Sequence, residues 1–127
     1  MGQPVVHFEI IGQDPARLRR FYADLFGWEL NAADAVTDTV SQPGQYGFLD
    51  ASKIDGALPA NGGVGGGSGH QPHTIFYIGV PDVADALKKA ETLGATRTMG
   101  PEGVPGQLVV GQFTDPEGNL IGVAGGA

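Results

Sequence analysis

A β-branched strand, a capped helix and a glycine stop occur twice in this chain, offset by 68 residues with one gap late in the helix before the stop, and few folds accommodate that. In the first copy Val5-Val6-His7-Phe8-Glu9-Ile10-Ile11 reads as a strand. Asp14 then serves as N-cap, Pro15 suits the first helical position, and Gly27 supplies a left-handed stop. Between them Leu18, Phe21, Tyr22 and Leu25 recur at helical spacing, which predicts one apolar stripe packed on the Val6/Phe8/Ile10 face of the strand. In the second copy Ile75-Phe76-Tyr77-Ile78-Gly79-Val80 is the strand, Asp82 the cap and Gly94 the stop, with Val83, Ala86, Leu87 and Ala90 as the stripe. The register pairs His7 with Ile75 and Glu9 with Tyr77.

After each helix the chain reads as about three strands. In the first half these are expected from Trp28-Glu29-Leu30, from Tyr46-Gly47-Phe48-Leu49-Asp50 and from residues 57–64, with a short extra strand near 36–40. In the second they are residues 95–99, Leu108-Val109-Val110-Gly111-Gln112-Phe113-Thr114 and Asn119-Leu120-Ile121-Gly122-Val123. The last two are joined by the tight turn Asp115-Pro116-Glu117-Gly118, and residues 100–106 form a turn-rich loop. The glycine run that begins at Gly62 reads as a flexible linker over 62–72. The expected organisation is one α+β domain over 1–127, with modules at 1–66 and 71–127.

Composition narrows the partners. With seven Lys and Arg against 14 Asp and Glu, the net charge of −7 argues against nucleic acid. Arg17, Arg19 and Arg20 are expected to form a solvated helix face. The absence of cysteine removes thiol chemistry. No apolar run approaches the ~20 residues of a membrane span, and no secretory pattern opens the chain, so the expectation is a cytoplasmic protein without a membrane partner.

The strand pattern also names a candidate site. His7 and Glu9 share the face opposite the helix; Tyr77 does so in the second half, and His73 has the same parity as Tyr77. Gln112 is a further polar candidate on a neighbouring strand. These five residues suit the orientation of a small polar or aromatic ligand. Trp28 and Phe48 read as core or dimer-contact rings.

Phe21-Tyr22 followed by Leu25-Phe26-Gly27-Trp28, then Val80-Pro81-Asp82-Val83, Leu93-Gly94-Ala95 and Asp115-Pro116-Glu117-Gly118-Asn119 give a pattern that resembles the vicinal oxygen chelate superfamily. That superfamily includes glyoxalase I, bleomycin-resistance and fosfomycin-resistance proteins and extradiol dioxygenases. The resemblance implies two βαβββ modules forming a curved, partly closed sheet around a cleft. It also implies metal ligands on the first and last strands of a module in metal-dependent members. His7 occupies a first-strand ligand position. Its repeat partner Ile75 cannot bind a metal, and the last-strand carboxylate position, seven residues after Asp115, is Gly122. Asp50 and Asp55 are near the first module's matching position but out of pattern. The expectation is a glyoxalase/bleomycin-resistance-like small-molecule-binding protein with no metal and no other cofactor, and a homodimer. Two other classes stay open. One is an enzyme of lyase, isomerase, transferase or dioxygenase type that uses His7 and Glu9, either metal-free or with a divalent metal held by His7, Glu9 and His73. The other is a non-catalytic interaction or regulatory module.

Overall fold

The computed structural model describes residues 2–54, 56, 60–104 and 106–126. By contact it divides into two compact units, His7–Thr74 and Met1–Val6 together with Ile75–Ala127. Both follow the order strand, helix and three strands.

In the first half β1 (Val5–Gly12) leads into α1 (Pro15–Phe26), followed by β2 (Asn31–Ala33), β3 (Tyr46–Leu49) and β4 (Asn61–Gly66). β4 runs parallel to β1 and antiparallel to β3, and β2 closes the edge against β3. In the second half β5 (His73–Gly79) leads into α2 (Val83–Thr92), then β6 (Thr96–Gly103), β7 (Val109–Thr114) and β8 (Leu120–Gly125). β8 is parallel to β5 and antiparallel to β7, with β6 outside β7. The α+β architecture of two βαβββ modules is as expected. The repeat register holds as well: Glu9 pairs with Gly63 on β4, and Tyr77 pairs with Gly122 on β8.

Local chemistry sets the helix limits. The Asp14 carboxylate accepts from Arg17 N–H at 3.2 Å, and Gly27 at φ 71° donates its N–H to the Ala23 carbonyl. In α2 the Asp82 carboxylate accepts from Asp85 N–H at 2.9 Å. Val83 and Leu87 are fully buried, with Val109 and Val123 packed against them. Asp115 closes the β7–β8 turn. Asn119 donates to its carboxylate from both side chain and backbone, which holds the carboxyl below its ordinary range.

Several expectations are corrected. Residues 62–66 are not linker: they form β4, paired on both edges and buried. Glycine is required there because aromatic rings fill the space a side chain would take. A Cβ on Gly62 would stand 2.2 Å from Phe8 Cζ, on the helix side of the sheet. Residues 36–40 form turns rather than a strand, and β2 starts only at Asn31. β6 continues through the expected loop to Gly103. Ala57 and Leu58, expected to begin a strand, lie outside the described residues, as does Asp55.

The α1 stripe is only half used. Leu18 and Tyr22 are partly buried, and a Cβ on Gly12 would meet Leu18 at 3.1 Å, so α1 covers the even-numbered face of β1 as expected. Phe21 and Leu25 instead remain 56% and 58% exposed. Arg19 is not simply solvated: its guanidinium donates to the Gln45 carbonyl, while Arg17 and Arg20 stay exposed.

Candidate functional site

His7 and Glu9 lie on the face of β1 opposite α1. A third residue, unexpected from the sequence, joins them. Tyr46 at the start of β3 extends its ring across β4 at Gly63, where an added Cβ would stand 2.0 Å from both Tyr46 Cζ and Oη. The ring therefore rests on bare backbone, and that position delivers the hydroxyl between the other two side chains. His7 Nε2 is 2.6 Å from Tyr46 Oη, and Tyr46 Oη donates to Glu9 Oε2 at 3.0 Å. Glu9 and Tyr46 are both buried, and the His7 side chain keeps 21% of its surface.

The proton order follows from this geometry. With the tyrosine proton directed to Glu9, His7 Nε2 carries the imidazole hydrogen and donates to Tyr46 Oη. Burial pulls the His7 pKa down to about 4, so the ring is neutral near pH 7. The 4.0 Å approach of His7 Nε2 to Glu9 Oε2 is thus not an ion pair, and the hydroxyl mediates between the groups. Phe48, two residues on from Tyr46, stacks beside His7 with ring centroids 6.1 Å apart. It is 46% exposed, so it is not a core ring.

The second half holds the matching arrangement in different chemistry. Tyr77 lies over Gly122, where a Cβ would stand 2.4 Å from its ring. Gln112 Nε2 donates to the Tyr77 hydroxyl at 2.9 Å, which fixes the facing of Gln112. The structure thus joins His7 with Glu9, and Tyr77 with Gln112. It engages His73 elsewhere: the Nδ1 of this ring is 2.7 Å from the Gln71 carbonyl. Ile75 is buried.

A family model described as Glyoxalase/Bleomycin resistance protein/Dioxygenase superfamily matches residues 5–123. The chain belongs to this superfamily. Its fold is shared with a methylmalonyl-CoA epimerase of Streptomyces coelicolor, solved in complex with 2-nitronate-propionyl-CoA, at 15% identity and TM-score 0.67 over 98% of both chains. The methylmalonyl-CoA epimerase of Mycobacterium tuberculosis aligns at 16% identity and TM-score 0.61, over 97% of this chain and 87% of that one. The Mn(II)-bound glyoxalase from Novosphingobium aromaticivorans aligns at 19% identity and TM-score 0.58, over 97% of this chain and 38% of that one. Among curated protein sequences none matches the chain. At these identities the structural likenesses establish the fold.

Members of this glyoxalase superfamily often carry a divalent metal; at the ligand positions the resemblance implies, this chain has His7 but also Ile75 and Gly122. The last-strand position in the second half is Gly122, covered by the Tyr77 ring; its counterpart in the first half, Gly63, is covered by Tyr46. A carboxylate at either place would need the volume the ring fills. The alternative through His7, Glu9 and His73 meets a second obstacle. An ion held by His7 Nε2 and Glu9 Oε2 needs bonds of roughly 2.0–2.2 Å to each, and the Tyr46 hydroxyl occupies the gap between those atoms. Among the described residues no group of three or more His, Asp and Glu is arranged to hold a metal ion.

Proposed function

We propose that this chain is a metal-free small-molecule-binding protein, with His7, Tyr46 and Glu9 as its polar recognition group. The hydrogen-bond chain from His7 through Tyr46 to buried Glu9 carries this reading. It fixes the orientation of a neutral imidazole that retains solvent access beside an exposed aromatic face. Such a pairing gives a ligand one preset hydrogen-bonding edge and one surface to stack on, the mix of polar and apolar groups that small-molecule sites use. The covered glycines support the metal-free part. Tyr77 and Gln112 form the polar pair of the other half, and His73 falls outside the group.

The test combines metal analysis with ligand screening. Protein purified without chelator or affinity tag should hold well under one equivalent of iron, zinc, manganese or nickel. A thermal-shift screen of small polar aromatics should yield compounds that stabilise the parent but not His7→Gln, with the variant still folded. One equivalent of metal, lost in His7→Ala or Glu9→Ala, would sink the proposal and favour a metal-dependent enzyme.

One observation favours a second reading, a metal-free enzyme. Contacts of 2.6 and 3.0 Å between successive groups make the chain competent to relay a proton towards Glu9. Compounds from the screen that carry an acidic C–H should then exchange it for deuterium in D₂O with the parent but not with Glu9→Gln. No exchange leaves the protein a binder.

We also propose a homodimer. Phe21, Leu25 and Phe26 project from α1 more than half exposed, an apolar concentration that a free surface rarely keeps. Light scattering at micromolar concentration should return twice the chain mass; a monomer removes this proposal.

A further inference from the structure

A pocket of about 260 Å³ opens beside the recognition group, within the first unit. Trp28, Phe48 and Ile54 are among its apolar walls, and Glu29, Asp50 and Lys53 bring charge to its lining. Phe48 is shared: it borders this pocket and also stacks against the His7 ring.

The chemistry of the walls selects a ligand. Two carboxylates against one ammonium leave the lining net negative, in a chain whose net charge is −7. The field therefore gathers cations and repels anions. Two of its apolar residues, Trp28 and Phe48, are aromatic, and such rings attract cations as well as apolar surface. Asp50 is held in place rather than loose, since its carboxylate accepts from both the backbone N–H and the hydroxyl of Ser52. The volume suits a single ring with a short polar head, not a nucleotide.

We propose that this pocket binds a small aromatic cation of the amidine or amine class, its ring on the apolar lining that includes Trp28 and its charged head at Glu29 and Asp50. This goes beyond the His7 recognition reading and does not depend on it, because the pocket excludes His7, Tyr46 and Glu9 from its lining.

Trp28 is the one tryptophan in the chain, so its emission reports on the pocket directly. Benzamidine is the probe and benzoate its anionic counterpart of similar shape. Benzamidine should change the emission saturably, with Kd of about a millimolar or tighter, the range open to a ligand of so few atoms. Benzoate should bind at least tenfold more weakly. Glu29→Gln should weaken benzamidine roughly two- to fivefold, and Lys53→Met should tighten it by a similar factor. Raising NaCl from about 50 to about 500 mM should weaken it in the parent protein, a check that needs no variant. Equal binding of benzoate, no saturable change with benzamidine, or indifference to both Glu29→Gln and salt would overturn the proposal.

Discussion

Burial holds His7 at a pKa of about 4, against 6.5 for the free side chain, and the unfolded chain returns it to the higher value. Between those two values the unfolded state binds more protons than the folded one. The stability that comes from keeping the ring neutral is therefore complete above about pH 6.5 and is lost as pH falls towards 4. The loss amounts to about 3 kcal/mol at most. Urea unfolding at a series of pH values should accordingly show a steeper decline over this window in the parent than in His7→Gln. Tyr46 acts on the same chain from the middle. Tyr46→Phe keeps the ring over Gly63 but withdraws the donor to the buried Glu9 carboxylate, and should reduce stability by about 1–3 kcal/mol. The urea midpoint measures it; an unchanged midpoint would show that the hydroxyl contributes nothing to the fold.

At the scale of elements, β4 and β8 do the same job with different neighbours. Each presents a glycine on which a tyrosine ring lies, Tyr46 on Gly63 and Tyr77 on Gly122. Gly63→Ala should therefore destabilise by about 1–3 kcal/mol, as an overpacked core does. In a Tyr46→Ala background the same change should be nearly neutral, giving a coupling energy of the same order in a double-mutant cycle. Additive effects would show that the ring and the glycine are independent. This dependence also explains what the sequence did and did not reveal. The helices and their caps were legible because Asp14, Asp82 and Gly27 act on residues three or four positions away. The inward facing of His7 and Glu9 followed from strand parity, and the repeat offset of 68 aligned the first strand and the helix start of each half. Tyr46 was not legible as a site residue, since its partners lie 37 and 39 positions away. Nor was β4: glycine has low strand propensity, and only the tertiary demand of Phe8 and Tyr46 for room turns a glycine run into a buried strand. The one available signal was Val64, a β-branched residue set in the middle of the glycine run.

For the molecule as a whole, the first residues matter more than their position at the chain start suggests. Pro4 and Val6 belong to the unit built from Ile75–Ala127. The Pro4 carbonyl accepts from Gly79 N–H at 2.8 Å, and Val6 leaves no room for a side chain at Gly79, where a Cβ would stand 2.9 Å from it. Deleting residues 2–6 should speed amide hydrogen exchange at Gly79 while leaving Gly63 and Val64 protected. Uniform acceleration would mean that the deletion loosens both units together. The glycine strand carries a practical lesson for anyone who dissects the gene. A run such as 62–69 is the usual choice for inserting a reporter, permuting the termini or splitting a chain into complementing fragments. Breakage at Val64 would instead sever a strand held on both edges and strip the floor from under Phe8 and Tyr46. The tolerant position lies a few residues later, at Ser68 and Gly69, which sit exposed in a turn closed by the His70 N–H to Gly67 carbonyl bond.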